Sequence, residues 1–310
     1  MADSVKNNCI GSTASVRTFE STAVASCMHN EIISLPKAPG PIGVFDSGYG
    51  GLTIYDEIHR LMPEYDYLYV GDNARAPYGT RSFDVVYEFT RQAVQYLFKS
   101  GCHLVILACN TASAKALRNI QQLDLPAWDP NRRVLGIIRP TVECIGGVTE
   151  SRHVGVLATE GTIKSQSYPL EIRKLFPDIT VTGEACSMWA SLVEADEHSN
   201  PGADYFIKRD IERLLVRDPQ IDTIILGCTH YPLMFDSIRR FVPANIRIIT
   251  QGAAVAASLR SYLARHSDME KLCTKGGESV LCTTESGNNF CEHASRFLHQ
   301  TVKAKKITLI

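Results

Sequence analysis

The chain has 310 residues, 45% hydrophobic and 21% charged, and its 32 basic and 33 acidic side chains leave a net charge of −1. That length accommodates two domains of ordinary size, and the hydrophobic share excludes wholesale disorder. The balanced charge gives no electrostatic footprint for nucleic acid or an anionic membrane surface, and no apolar run approaches the roughly 20 residues that span a bilayer, so a small-molecule ligand is expected.

Residues 1–40 are rich in Ser, Ala, Thr and Asn and lack a basic start followed by an apolar block, so they read as a flexible N-terminal extension rather than a secretory signal. A cytoplasmic location is expected. The 10 cysteines include no C-x-x-C pair, and with no export signal they are expected to be reduced. Cys273, Cys282 and Cys291 are evenly spaced with His293 close by. Structural zinc sites use tighter ligand pairs, so no metal is expected.

From Pro41 the pattern alternates: strand Ile42 to Phe45, helix Leu52 to Leu61, strand Tyr65 to Val70, helix Ser82 to Lys99, strand Leu104 to Ala108, helix Ala112 to Gln121. Such alternation predicts parallel βαβ units. Asp124 to Arg133, with Pro126 and Pro130, reads as a loop. A strand at Val134 to Ile138 opens a second half that continues through strands Val154 to Ala158, Ile179 to Glu184 and Thr223 to Leu226. Its helices are expected at Ser165 to Phe176, Ala185 to Glu194 and Pro201 to Leu215. An amphipathic return from Pro232 to Phe241, a strand Ile246 to Thr250, a helix Ala253 to Arg265, and a last strand and helix at Val280 to Thr283 and Phe290 to Phe297 are expected to pack back on the first half. The predicted fold is α/β, with two pseudo-symmetric domains, each a mostly parallel sheet flanked by helices, and an active site in the cleft between them. The first domain takes residues 41–133 and 243–310, the second 134–242.

Within that frame two cysteines occupy corresponding places. Cys109 ends the run Leu104-Val105-Ile106-Leu107-Ala108 and precedes Asn110-Thr111; Cys228 ends Thr223-Ile224-Ile225-Leu226-Gly227 and precedes Thr229-His230. Continuous apolar runs read as buried parallel strands, and open α/β sheets bind ligands just beyond the carboxyl ends of their strands. A lone cysteine there is most often a small buried hydrophobe. Two in equivalent positions, each with short polar neighbours, point to chemistry. Asp46, at the end of the first strand, and His230 are placed to exchange protons with the sulfurs.

Acyl transfer through a thioester uses one nucleophile and leaves the second thiol unexplained. Disulfide exchange needs sulfurs within bonding distance, which strand ends in different halves disfavour. Proton transfer at carbon uses both. A reacting sulfur stands about 3 to 3.5 Å from its atom, so thiols on opposite faces of a stereocentre lie on the order of 7 Å apart.

Four motifs, Asp46-Ser47-Gly48-Tyr49-Gly50-Gly51-Leu52, Gly71-Asp72-Asn73-Ala74-Arg75-Ala76-Pro77-Tyr78-Gly79, Ala108-Cys109-Asn110-Thr111-Ala112 and Leu226-Gly227-Cys228-Thr229-His230-Tyr231-Pro232-Leu233, together resemble the glutamate racemases, from about Ile42 to Leu263. The resemblance implies interconversion of L- and D-glutamate without pyridoxal phosphate or metal, with D-glutamate going to peptidoglycan. It implies that Cys109 exchanges the α-proton on the D-face and Cys228 on the L-face, with Asp46 supporting Cys109 and His230 supporting Cys228. Asp72 and Glu194 match assisting acids. Substrate contacts carry over to Asp46, Ser47, Tyr78, Gly79, Thr80, Asn110, Thr111, Thr229 and His230, and family members form homodimers.

Each supporting residue also has a structural reading: Asp46 as a helix cap, Asp72 as a turn residue, Tyr78 as a packing aromatic, Glu194 as a solvated acid. Ser187, Met188 and Gln251 depart from the family's usual pattern. Two other functions compete: a racemase of the same superfamily acting on aspartate or another amino acid, and a non-enzymatic binding module for a small acid.

Overall fold

The computed structural model describes residues 35–298 and 301–310, so the expected extension lies, up to residue 34, outside the described residues. Its last residues, 35–40, are tied down: Arg132 donates to the carbonyl of Pro36, His103 Nε2 lies 2.8 Å from the carbonyl of Ala38, and Gly40 bridges to Cys273.

The strands among the described residues are β1 (Ile42–Asp46), β2 (Tyr67–Gly71), β3 (Leu104–Leu107), β4 (Arg133–Gly136), β5 (His153–Ala158), β6 (Thr180–Ala185), β7 (Thr223–Gly227), β8 (Arg247–Ile249), β9 (Ser279–Thr283) and β10 (Ala304–Lys306). They form two sheets, β10-β9-β2-β1-β3-β4 and β6-β5-β7-β8, in which every pairing is parallel. The orders β2-β1-β3-β4 and β6-β5-β7-β8 are the same arrangement repeated, which gives the α/β fold its two pseudo-symmetric lobes. β1, β3 and β7 are buried along their whole length, as strands covered on both faces must be.

Alternate residues feed separate cores. Val44 and Ile106 point into the core shared with helices Leu52–Leu61 and Gly252–Arg265, while Phe45, Val105 and Leu107 join the opposite core under helix Phe83–Lys99. In the second lobe Leu157, Ile224 and Leu226 face helix Pro201–Arg217, and Val154, Val156 and Ile225 face helix Ser167–Leu175. Helix starts follow local chemistry. Ser82 Oγ accepts from Val85 N at 3.4 Å, and Asn200 Oδ1 accepts from Ala203 N at 3.1 Å ahead of Pro201.

Two expectations are corrected by the pairing. The strand near Val134 does not open the second lobe: β4 pairs with β3 and is the edge of the first sheet. The strand near Ile246 does not belong to the first lobe: β8 pairs with β7 in the second. The two strands are short edge elements, half-exposed in part, so their composition carries no information on which sheet they join. The helix expected over Ala112 to Gln121 breaks after Lys115 and resumes at Leu117. The loop expected from Asp124 contains a helical turn, Leu125–Trp128, with Pro126 at its tolerated start. Cys273 and Cys282 lie in different cores, on opposite faces of the first sheet, and so do not converge on a common ligand. No described helix is long and apolar enough to cross a membrane.

Candidate active site

The carboxyl ends of β1, β2 and β3 in one lobe and of β5 and β7 in the other carry Asp46, Asp72, Cys109, Thr159 and Cys228. These positions are sealed: Cys109 is 5% exposed, Cys228 6%, and Asp46 not at all. Surface hollows of about 280 and 550 Å³, beside Gln121 and Leu125 and beside Arg209 and Arg213, include neither thiol.

Cys109 caps the short helix Asn110–Lys115, its sulfur accepting from Ala112 N at 3.4 Å and lying 3.3 Å from Ser47 Oγ. Burial pushes the thiol's pKa up to about 12, helped by the Asp46 carboxylate, while the bonds from Ser47 and Ala112 pull the other way. Asp46 does not cap helix Leu52–Leu61, whose first turn has no side-chain cap. Its Oδ2 instead accepts from Gly48 N at 2.9 Å, and its Oδ1 is buried with no hydrogen-bond partner among the described residues. Burial raises its pKa against the pull of His230 and the amides of Gly51 and Gly48. An unpartnered buried acceptor costs about 1 to 3 kcal/mol, so the site holds an unmet demand for a donor.

Cys228 faces His230 Nδ1 at 3.6 Å, and His230 Nε2 meets Glu194 Oε1 at 2.5 Å. Burial works to lower the imidazole's proton affinity, but the bonds to Cys228 and Glu194 prevail and hold it well above its usual value. Glu194 ends helix Trp189–Glu194 and is paired, so it is not the solvated acid of the alternative reading. Cys109 and Cys228 are both free thiols.

The remaining expected residues divide. Asp72 accepts three bonds within the protein: from Arg75 Nε at 2.6 Å and the Tyr78 hydroxyl on Oδ2, and from Thr284 Oγ1 at 2.8 Å on Oδ1. Tyr78 is both a packing aromatic, 5.7 Å from the Phe89 ring, and a polar partner of Asp72. Gly79 touches the second lobe, its carbonyl accepting from Gly161 N at 2.9 Å, and a Cβ there would crowd Thr159 at 2.9 Å. Thr80 is exposed in the same turn. Thr111 Oγ1 lies 2.9 Å from Thr159 Oγ1, and the Thr229 carbonyl accepts from Thr53 Oγ1 at 3.1 Å, so both join the lobes.

Asn110 is held by residues that sequence reasoning did not place here. Its Nδ2 donates to Gln251 Oε1 at 2.6 Å, and its Oδ1 accepts from Tyr168 Oη at 2.8 Å and Gln251 Nε2 at 3.2 Å. Gln251 Nε2 also reaches Thr141 Oγ1 at 3.0 Å. The signal was the departure at Gln251: a long amide ahead of a glycine that opens a helix.

Two parallel-stranded lobes thus each carry one buried thiol beside a titratable neighbour, Asp46 for Cys109 and His230 for Cys228. The Asp/Glu/Hydantoin racemase family model matches residues 42–259. A glutamate racemase of Dinoroseobacter shibae is 38% identical over 278 residues, covering 86% of this chain and 98% of its own. One of Ruegeria sp. is 37% identical over 272 residues, covering 84% and 97%. The crystal structure of the Francisella tularensis glutamate racemase in complex with D-glutamate superposes with a TM-score of 0.76 at 31% identity, covering 87% of this chain and 98% of that one. The chain belongs to the Asp/Glu/Hydantoin racemase family.

Proposed function

We propose that the protein is a cofactor-independent glutamate racemase that interconverts L- and D-glutamate through Cys109 and Cys228. One observation carries the reading: a buried thiol after the third strand of each repeated sheet, each beside its own acid or base. The relatives' names, and the D-glutamate bound to one of them, supply the substrate.

In the L-to-D direction the Cys228 thiolate takes the α-proton, becoming a thiol, and the electron pair stays on the α-carbon, delocalised into the carboxylate. The Cys109 S–H then delivers its proton to the opposite face, leaving a Cys109 thiolate. The reverse turnover, or proton exchange with solvent, restores the start. His230, bridged to Glu194, tunes Cys228; Asp46 and Ser47 tune Cys109. Asp46 Oδ1 is the acceptor for the substrate ammonium, which offsets the part of the Cys109 shift that the Asp46 carboxylate adds to that of burial. Short polar groups, Ser47, Asn110, Thr111 and Thr229, with Gly79 and Thr80 on the adjoining turn, surround a small zwitterionic acid, and preorganised donors near the α-carboxylate stabilise the charge that develops there. Asp72 acts through Tyr78. The enzyme works in the cytoplasm as a homodimer and supplies D-glutamate for peptidoglycan.

The test is incubation of reduced protein with L-glutamate in deuterated water, with a chelator and no pyridoxal phosphate. Loss of optical rotation with deuterium in the D-product is expected, and Cys109→Ser and Cys228→Ser should each abolish inversion while ligand binding persists. Faster turnover of aspartate would overturn the substrate, and binding with no exchange would make the protein a binding module.

A further inference from the structure

Tyr49 sits between Gly48 and Gly50 in the turn after β1, and that turn bears directly on the second lobe. A Cβ on Gly48 would collide with Glu194 Oε1, and one on Gly50 would stand 2.5 Å from His230 Nδ1 and 2.6 Å from Thr229 Oγ1. The backbone N–H of Tyr49 points to the same Glu194 oxygen that meets His230, at 3.4 Å. Glu194 Oε1 therefore has two donors converging on it, one from each lobe, and the first-lobe donor is carried by the Tyr49 backbone.

What fixes that backbone comes from the far end of the chain. The Tyr49 hydroxyl donates to Glu285, just after β9. Its ring stacks on Phe290 at 5.5 Å, lies 4.7 Å from the His293 ring and meets Phe297 edge-on at 5.9 Å, all from helix Gly287–Leu298. Phe297 in turn packs against cores of both lobes. The ring is thus held on one side by three aromatic neighbours and at its tip by a carboxylate, while its amide reaches the pair that supports Cys228.

We propose that Tyr49 is a positioning residue for the second thiol: the C-terminal segment, through Glu285 and helix Gly287–Leu298, clamps the Tyr49 side chain and so sets the turn that holds Glu194 against His230. The proposal rests on the racemase reading above and adds residues to its Cys228 half alone. Loosening the clamp slows the proton transfers made by Cys228 more than those of Cys109, because Asp46 is also held in the β1 ladder opposite Gly71. A merely structural role would slow both together.

The experiment uses the full chain with Tyr49→Phe, Tyr49→Ala and Glu285→Gln, and α-protonated and α-deuterated L- and D-glutamate. A racemase whose equilibrium constant is one must lose kcat/KM equally in both directions, so the informative readout is the isotope effect in each direction. Expected is a loss of about 10- to 100-fold in kcat/KM for Tyr49→Ala, less for the other two. With it, the deuterium effect should rise for the isomer deprotonated by Cys228, the L-isomer, and fall toward unity for the other. Tyr49→Phe and Glu285→Gln preserve the ring contacts and carry the test if Tyr49→Ala does not fold. Isotope effects that move together in both directions, or wild-type rates in all three variants, overturn the proposal. An inactive wild-type protein would instead overturn the racemase reading itself.

Discussion

His230 joins a carboxylate to a thiol: its Nε2 is 2.5 Å from Glu194 Oε1 and its Nδ1 is 3.6 Å from Cys228 Sγ. Because burial disfavours the imidazolium and the bonds to Cys228 and Glu194 restore it, removing the carboxylate should tip the balance back. Glu194→Gln is expected to lower the proton affinity of His230, so the ring loses its proton at lower pH, and to reduce kcat by about 100-fold. A ¹⁵N-imidazole titration and a pH–rate profile check both; an unmoved His230 titration would mean that the Glu194 charge does not set it.

Cys109 carries a pH prediction of opposite character. Its folded pKa, about 12, lies above the ordinary thiol value of 9.0, so the unfolded chain sheds this proton first. The stabilisation from keeping the thiol neutral is complete below pH 9 and disappears as pH rises toward 12. Iodoacetamide should therefore label exposed Cys144 well before Cys109 in ligand-free protein at pH 8, read by peptide mass spectrometry. Rapid labelling of Cys109 under those conditions would contradict the geometry.

Gly50 has no room for a methyl group. Gly50→Ala would press on His230 Nδ1 and Thr229 Oγ1, and a displacement near 1 Å at a reacting group costs about 100-fold in rate. The expected variant keeps its circular dichroism spectrum and loses kcat; one with wild-type kcat would show that the turn yields freely.

Gln251→Ala should act on stability first. It strips the acceptor from Asn110 Nδ2 in a buried network, at a cost of about 1 to 3 kcal/mol. For a chain of this size that is a fall of about 1.5 to 5 °C in Tm by calorimetry. Gln251→Glu keeps the acceptor for Asn110 Nδ2 but loses the donor to Asn110 Oδ1, Thr141 and Tyr168 and buries a carboxyl, so it should cost at least as much.

Much of the site was legible because it lies at the ends of strands that announce themselves. β1, β3 and β7 are unbroken apolar runs followed by polar residues, and a parallel sheet gathers such ends on one side. Edge strands β4 and β8 give no such signal, since sheet membership is decided by which neighbour the chain meets and not by the residues themselves. The reading of Asp72 as an assisting acid did not reveal that Arg75, Tyr78 and Thr284 bond its two oxygens. The Tyr49–Glu285 bond and the Gln251–Asn110 pair join residues more than a hundred positions apart, and neither follows from any local spacing.

The late return of β9 and β10 to the first sheet has a consequence for how the molecule is made. The second lobe is threaded into the first between β4 and helix Gly252–Arg265, so the first sheet is a discontinuous object. While the chain leaves the ribosome, β2 presents a naked hydrogen-bonding edge until β9 arrives, some two hundred residues later. The second lobe can complete its own sheet, β6-β5-β7-β8, well before that moment. The nascent protein is therefore expected to pass through a stage in which the lobe with Cys228 is finished and the lobe with Cys109 still waits for its last strands.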